Sequence, residues 1–162
     1  IYSYELYNHY GADTIIRIGT AGAIHRDVQV GQVVFAMGCC TNSNFPAQYH
    51  LPGSFAPIAD FELLAQAVQI AGEQQIPYKV GNVFCSDIFY EDTPGEKGLW
   101  EKMGVLVQEM ETLSLYCNAA RAGKRALSLL TVGSSMHHSS ALTNEEREQK
   151  LDDMIRCALN LA

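Results

Sequence analysis

Hydrophobic and polar positions along the chain alternate between short β-rich runs and longer segments with helical spacing. The apolar, β-branched runs predict five strands, over residues 14–19, 32–37, 79–84, 105–108 and 125–132. Apolar positions three or four residues apart predict helices over residues 61–74, 96–103 and 110–122, with a further helix at each end of the chain. Strands that alternate with helices predict an α/β domain with a largely parallel or mixed sheet.

Local signals place several helix ends. Asp60 precedes the helix over residues 61–74 as a capping residue. Thr143 is followed three residues later by Glu146, a capping-box pattern that opens the C-terminal helix. The first helix has one face formed by Tyr2, Leu6 and Tyr10. Because no repeat or Pro/Gly-rich linker interrupts the chain, we expect a single domain over residues 1–162.

Composition excludes several classes of protein. The chain has 162 residues, 48% hydrophobic and 18% charged, which is typical of a globular domain and not of a disordered one. A net charge of -7 argues against a nucleic-acid surface, and the apolar runs are too short to cross a membrane. The five cysteines form no CxxC pair, which favours reduced thiols and a cytoplasmic location.

We expect no metal site from the sequence. His137 and His138 are adjacent and would point in different directions on a helix, with no Cys or carboxylate at ligand spacing beside them. We therefore expect these two histidines to be ordinary loop residues or proton donors.

The first predicted strand ends in a candidate anion site. Arg17 lies on the strand, and Thr20, Ala21 and Gly22 follow it as a small-residue turn. Backbone amides in such a turn can approach an anion, and a guanidinium can hold phosphate in a bidentate manner. A structural salt bridge of Arg17 is the alternative.

Two further segments carry candidate chemistry. Glu109, Met110 and Glu111 lie at a strand-to-helix junction, where a buried carboxylate is commonly salt-bridged or placed to bind a ligand. The alternative is a pair of helix N-terminal acids favoured by the helix dipole. Phe89 and Tyr90 follow the strand over residues 79–84 and form either core or a wall for a flat base.

The order of five segments resembles the bacterial-type purine nucleoside phosphorylases, within the superfamily that also holds uridine phosphorylases. The segments are residues 16–23, 59–61, 86–90, 109–111 and 146–147, and the resemblance extends over the whole chain. It implies a three-layer α/β/α sandwich around a mixed sheet, assembled as a homo-oligomer, a trimer of dimers. The implied reaction cleaves (deoxy)ribonucleosides with phosphate to free base and pentose 1-phosphate, with phosphate as co-substrate and no cofactor.

The resemblance also implies roles for single residues. Phosphate is held by Arg17 and Thr20. The ribose is bound by Glu111 and packed by Met110, with Glu109 beside them. The base is flanked by Phe89 and Tyr90 and by the backbone of Ala21 and Gly22.

One departure concerns proton donation to the base. Members of the family carry an Asp that protonates the purine and an Arg on the final helix that switches it. Arg147 is present, but Ser134 stands where the Asp belongs. Losing a positioned acid costs on the order of 10²–10⁴ in rate. The enzyme is then slow, takes substrates that need less protonation, or uses His137 or His138 as the donor.

A second departure concerns the start of the chain. It begins inside the predicted first helix, and the family's glycine-rich phosphate loop with a further arginine has no counterpart in these residues. We therefore expect an N-terminally incomplete domain with little phosphorolysis on its own. The alternatives are a uridine phosphorylase, a nucleosidase, or a catalytically weakened homologue that binds nucleosides.

Overall fold

The five strands of the fold follow the predicted apolar runs. The computed structural model describes residues 1–90, 92, 95–138, 141–149 and 151–162, with only the backbone described for 147–149. The strands are β1 (Thr14–Ala23), β2 (Val33–Thr41), β3 (Tyr78–Cys85), β4 (Val107–Glu109) and β5 (Arg125–Ser135). All five predicted strands are confirmed, and β1 and β5 extend three or four residues beyond their predicted ends.

The sheet is mixed, as expected. β1 pairs parallel with β5, β2 parallel with β3, and β3 parallel with β4, whereas the β2–β5 and β1–β4 pairs are antiparallel. The strand order β1-β4-β3-β2-β5 closes on itself. Only Gly22 and Ala23 of β1 pair with β4. The α/β class is confirmed, while the three-layer sandwich stays a prediction because this order does not establish flat layers.

A bulge in β5 interrupts its pairing with the end of β1. Ala21 pairs with Val132 but Gly22 pairs with Ser134, so Gly133 has no partner on β1. An extra residue on one strand increases the local twist and re-aims the neighbouring side chains. The bulge lies at the carboxyl end of two parallel strands, the edge where α/β sheets place their binding sites.

The helices pack in two pairs against the strands. Among the described residues they are α1 (Tyr2–Asn8), α2 (Phe61–Glu73), α3 (Glu96–Lys102), α4 (Thr112–Ala122), α5 (Asn144–Gln149) and α6 (Asp152–Leu161), with a 3₁₀ turn over Phe45–Tyr49. α1 packs on α4, and α2 packs on α6. No helix in the described part of the chain is long and apolar enough to cross a membrane.

The core lies between β5 and the helices. From Ala126 to Val132 every residue of β5 is buried, including Ser128 and Thr131. The buried Tyr116 hydroxyl of α4 donates to the carbonyl oxygen of Ala36 at 2.5 Å and accepts the Ser128 N–H at 3.0 Å. This tyrosine links α4 to β2 and β5 and so fixes α4 to the sheet. The first residue of α4 comes directly after the site residues predicted at the end of β4.

The predicted caps are confirmed. The Asp60 carboxylate accepts the backbone N–H of Leu63 at 3.0 Å at the start of α2. Thr143 N donates to Glu146 Oε2 at 3.0 Å, and Glu146 N donates to Thr143 Oγ1 at 3.1 Å. These reciprocal bonds are a capping box and satisfy two of the backbone donors that an α-helix leaves open at its start.

Three expectations about helices were wrong in detail. The predicted face of α1 is exposed, and Tyr7, which donates to the carbonyl oxygen of Arg125 at 2.8 Å, is the buried residue of that helix. The C-terminal helix is divided into α5 and α6. α4 begins at Thr112 and not at residue 110, because the Glu109 carboxylate binds the backbone amides there and holds the preceding residues in a turn.

Candidate active site

A cavity of about 410 Å³ lies where the ends of β1, β4 and β5 meet. Backbone atoms of the bulged strands form one wall, and charged side chains form another. The lining residues are Arg17, Thr20, Ala21, Gly22, Phe89, Lys97, Gln108, Glu109, Met110, Glu111, Gly133 and Ser134. Nine of the eleven residues predicted from the sequence are therefore brought together in one place.

Arg17 is held by two carboxylates and a hydroxyl. Its Nη1 lies 3.4 Å from Glu109 Oε2 and donates to Ser128 Oγ at 3.5 Å, while its Nη2 pairs with Glu111. The guanidinium lies over Gly19, where a Cβ atom would come within 2.8 Å of Nη1. The side chain is 18% exposed, so this cation is largely enclosed and faces the cavity.

Glu109 and Glu111 have different environments although only one residue separates them. The Glu109 side chain is 1% exposed, and its carboxylate accepts the N–H groups of Glu111 at 2.9 Å and Thr112 at 2.9 and 3.1 Å. The Glu111 side chain is 60% exposed. Both alternatives weighed from the sequence hold for Glu109, which is salt-bridged and also binds the amides at the start of α4.

The turn between β4 and α4 places three consecutive side chains on the cavity. Glu109 is the last residue of β4, and Glu111 has a φ of −131° and a ψ of −17° directly before α4. Because the chain turns at this point, Met110 does not point to the opposite side as it would on a continuous strand. Met110 lines the same cavity as the two glutamates.

The bulged end of β5 brings Ser134 against the turn that follows Arg17. A Cβ atom on Gly22 would lie 3.3 Å from Ser134 Oγ, so the absence of a side chain there lets the hydroxyl approach the backbone. Thr20, Ala21 and Gly22 line the cavity next to this contact. The side chain of Arg147, the other residue predicted for proton transfer, lies outside the described residues.

The aromatic residues are placed differently from the charged ones. Phe89 lines the cavity and is 65% exposed, while Tyr90 is 88% exposed and is not among the lining residues. Their ring centroids lie 4.9 Å apart in an edge-to-face arrangement. The backbone before them is fixed by Ser86, whose Oγ accepts the Ile88 N–H at 3.1 Å.

Sequence reasoning missed three lining residues, Lys97, Gln108 and Gly133. It also missed the support behind Arg17, where Thr112 Oγ1 donates to Ser128 Oγ at 2.9 Å. A signal was present for Ser128, since it is a hydroxyl in the middle of an apolar strand that must find a partner. No signal marked Lys97, which reaches the cavity from α3.

His137 is held away from the cavity lining. Its Nε2 lies 2.9 Å from the carbonyl oxygen of Ile24 and 3.1 Å from Glu101 Oε1. The same ring nitrogen therefore has both of these partners on the side of Ile24 and Glu101. Neither His137 nor His138 is among the residues that line the cavity.

The arrangement has the chemistry of a site for an anion beside a hydroxylated ligand. The guanidinium of Arg17 and the ammonium of Lys97 supply positive charge, and a hydroxyl is available on Thr20. The exposed Glu111 carboxylate is an acceptor of the kind that binds paired hydroxyl groups. Met110 and Phe89 add apolar surface for the remaining parts of such a ligand.

Comparison with known proteins identifies the family of this chain. A family model of the phosphorylase superfamily matches residues 1–162. The chain is 44% identical, over its full length and 68% of the relative's, to a purine nucleoside phosphorylase DeoD-type from Geobacillus kaustophilus. It is 41% identical to proteins of that type from Clostridium novyi and Vibrio cholerae, of which it covers 70% and 69%. The chain belongs to the phosphorylase superfamily.

Proposed function

We propose that this protein is a purine nucleoside phosphorylase, a pentosyltransferase that uses phosphate to cleave (deoxy)ribonucleosides to free base and pentose 1-phosphate. The observation that carries the proposal is the pairing of Arg17 with Glu109 and Glu111 inside one cavity. This reaction requires a phosphate-binding cation and a ribose-binding carboxylate, and the contact between Arg17 and the two glutamates supports these roles. The relatives, named for this activity, support the same reading.

Binding of phosphate would rearrange the contacts of Arg17. Glu109 is fixed by backbone amides and stays with Arg17, whereas the exposed Glu111 is free to exchange the guanidinium for ribose hydroxyls. The phosphate then takes the place of Glu111 on the guanidinium fork, next to the hydroxyl of Thr20. This exchange places the nucleophilic anion against the sugar whose hydroxyls Glu111 holds.

Cleavage passes through a state in which positive charge develops on the sugar. A phosphate dianion held by Arg17 on one face of the ring stabilises that charge, and Met110 limits the movement of the ring. The base leaves towards Phe89 and the backbone of Ala21 and Gly22. Its departure is the step for which a proton donor is required, and Ser134 offers a hydroxyl without a usable pKa near neutrality.

Ser134 favours a second candidate function, a homologue that binds nucleosides but turns them over slowly. Its hydroxyl occupies the cavity where the family's acid is expected. A serine can donate a hydrogen bond to a purine nitrogen but cannot deliver a full proton to it. Binding and catalysis would then be separated by this one position.

The test is an assay of base release. The full-length protein is incubated with inosine, adenosine and uridine, each with and without phosphate, and free base is measured. Phosphate-dependent release from the purine nucleosides is expected, with uridine inert. Release from uridine would favour a uridine phosphorylase, and release without phosphate would favour a nucleosidase.

A Ser134→Asp variant separates the two main candidates. If the protein is a slow phosphorylase, the added carboxylic acid raises purine turnover by about 10²-fold or more. Saturable nucleoside binding without any release, in both the parent and the variant, would reject the enzyme and support the binding protein. Ser135→Asp is the matched control, because residue 135 is the next on β5 and is not among the residues that line the cavity.

The remaining expectations complete the proposal. We propose a single domain whose helix pairs, α1 with α4 and α2 with α6, form the outer layers of a three-layer sandwich, as their separate packing suggests. The protein assembles as a homo-oligomer, a trimer of dimers, which the exposed aromatic side chains of α1 support. Phosphorolysis itself uses no cofactor, and the five unpaired thiols suit a cytoplasmic location.

A further inference from the structure

Two thiols and a carboxylate meet behind the cavity, at the ends of three neighbouring strands. Cys39 lies in β2, Cys85 is the last residue of β3, and Glu109 is the last residue of β4. Their Sγ and carboxylate oxygen atoms all lie within 4.8 Å of one another, and all three residues are buried. The proposed reaction uses Glu109 but has no role for the two thiols.

The backbone pairing holds these three side chains together. Cys85 pairs with Glu109 across β3 and β4, and Thr41 pairs with Cys85 across β2 and β3. Cys39 is two residues before Thr41, so it faces the same side of the sheet. Because parallel strand pairing sets this geometry, the ligand atoms are pre-arranged without any contribution from a loop.

The donor atoms retain capacity for a further ligand. Glu109 Oε1 accepts one N–H, from Thr112 at 3.1 Å, and a carboxylate oxygen has two lone pairs. The Cys39 thiol donates to the carbonyl oxygen of Cys40 at 3.4 Å. The hydrogen bond with the neighbouring Cys85 thiol, burial, and the negative charge of Glu109 raise the pKa of Cys39.

The cluster is buried and borders two cavities. Glu109 lines the cavity of the candidate active site. Cys39 lines a second cavity of about 650 Å³, bordered by Cys40, the loop that contains the 3₁₀ turn, and Trp100. The cluster is therefore part of the wall between two cavities.

We propose that Cys39, Cys85 and Glu109 form a binding site for a thiophilic divalent cation of the zinc class. Two sulfur ligands favour such a cation over magnesium or calcium, which prefer oxygen ligands. Tetrahedral bonds to two sulfurs and one oxygen place the ligand atoms about 3.6–3.8 Å apart. Ligand atoms that are 4.8 Å apart would need to approach one another by about 1 Å. Small rotations about χ1 can produce this change.

Charge and proton balance agree with this site. On binding, both thiols lose their protons to solvent, and two thiolates with the Glu109 carboxylate neutralise the cation together with the positive charge of Arg17. Arg17 remains on Glu109 Oε2, from which its Nη1 lies 3.4 Å away, while the cation takes Oε1. The fourth position is open to water from one of the cavities. This site goes beyond the proposed function and does not depend on it.

The test measures metal binding by the reduced protein, with no nucleoside or phosphate present. Titration calorimetry with Zn²⁺, in buffers of different ionisation enthalpy, is expected to show one ion bound and close to two protons released at pH 7. Cd²⁺ is expected to produce a sulfur-to-metal charge-transfer band in the ultraviolet. Absence of the band, or binding without proton release, would overturn the thiolate site.

Single cysteine variants locate the ion. Cys39→Ser and Cys85→Ser are expected to weaken Zn²⁺ binding at least tenfold and to lower the Cd²⁺ band by half or more. Cys40→Ser is the matched control, since Cys40 follows Cys39 in β2 but its thiol is not part of the cluster, and it should bind as the parent does. Equal Zn²⁺ binding by the parent and Cys39→Ser would reject the proposal. If a serine variant fails to fold, Cys39→Ala is used in its place, and a thermal unfolding curve shows that it is folded.

Discussion

The two ends of the candidate active site differ in how their side chains are held. At one end, Arg17 and Glu109 lie on strands, are largely enclosed, and are joined to each other and to backbone amides. At the other end, Phe89 and Tyr90 follow β3 on a loop, are mostly exposed, and are in edge-to-face contact with each other. One end is assembled before any ligand arrives, whereas the other has its main surfaces open to water.

Because of this difference, we expect the loss of side-chain freedom on binding to be smaller for phosphate than for the base. Side chains that are already fixed lose little freedom when a ligand arrives, whereas exposed side chains must be ordered by the ligand. Substitutions at the strand-borne end should therefore alter phosphate affinity and rate strongly. Substitutions at the loop-borne end should alter nucleoside affinity moderately and leave the stability of the fold unchanged.

The largest expected effect comes from Arg17→Ala. Loss of the enclosed cation should lower kcat/KM for phosphate by about 10²–10³-fold, the range found when a preorganised charge-stabilising donor is removed. Steady-state kinetics with varied phosphate measures it, and Arg17→Lys should recover only part of the loss because an ammonium lacks the guanidinium fork. Arg156→Ala is the control, since Arg156 is exposed on α6 and pairs with Asp153. A loss below tenfold in Arg17→Ala would remove Arg17 from the phosphate site.

A comparison of Glu109→Gln with Glu111→Gln tests the difference between a buried and an exposed glutamate in the same turn. In Glu109→Gln an amide NH₂ replaces one of the two buried oxygens that accept backbone N–H groups, and an NH₂ cannot accept them. We therefore expect a loss of about 1–3 kcal/mol in the free energy of unfolding. Glu111→Gln should change that free energy by less than about 0.5 kcal/mol, because its side chain is exposed, but should raise the KM for nucleoside. Urea unfolding and kinetics measure the two effects. Equal stability losses would contradict the distinction.

Much of the strand-borne end could be predicted from the sequence, because the informative residues are close in the chain. Arg17 with Thr20, and Glu109 with Glu111, are short motifs at strand ends, where α/β folds place ligands. The support from Ser128 depends on the β1–β5 register, and the cluster of Cys39 with Cys85 depends on the β2–β3 register. Long-range register is not encoded in local spacing, which is why the cysteines gave no metal signal.

Position 19 provides a smaller and more selective change at the strand-borne end. In Gly19→Ala the new Cβ would lie 2.8 and 2.9 Å from the two terminal nitrogens of Arg17, so the guanidinium must shift. Because the obstructing group is the end of a flexible side chain, we expect little change in Tm but a KM for phosphate raised roughly tenfold. Gly72→Ala in α2, where a Cβ has open space, is the control. An unchanged KM would show that Arg17 need not be fixed in its present position.

At the loop-borne end, Phe89→Ala should have a moderate effect on nucleoside binding. Loss of one aromatic contact to a base corresponds to about 0.5–1.5 kcal/mol, or a KM for nucleoside raised about two- to tenfold. The KM for phosphate and the Tm should not change, because the side chain is exposed. Tyr90→Ala, which is not a lining residue, should have the smaller effect of the two. A fall in Tm after Phe89→Ala would mean that this end is packed as firmly as the other.

The smallest expected effect concerns Glu101, which ties α3 to the chain after β1 and β5. Its carboxylate binds Arg26 Nε at 3.1 Å and lies 3.1 Å from His137 Nε2. Burial by itself raises the pKa of Glu101. The hydrogen bonds from Arg26 and the charges of His137 and Arg26 outweigh burial, so the pKa is below its ordinary value. A lowered pKa contributes stability above the unfolded-state pKa that is lost as the pH falls through the folded-state pKa.

We therefore expect Glu101→Gln to lower the Tm at pH 7, with a difference that stays constant down to the unfolded-state pKa of a glutamate and shrinks as the pH falls from there through the lowered folded-state pKa of Glu101. Thermal unfolding of the parent and the variant across this range measures the difference. The KM for phosphate at pH 7 should stay at the parent value, because Glu101 is not among the residues that line the cavity and makes none of the contacts of Arg17, which are with Glu109, Glu111 and Ser128. A Tm difference that is constant from pH 7 to pH 3 would show that the charge of Glu101 does not stabilise the packing of α3, and a raised KM for phosphate would show that the contacts of Glu101 affect the phosphate site.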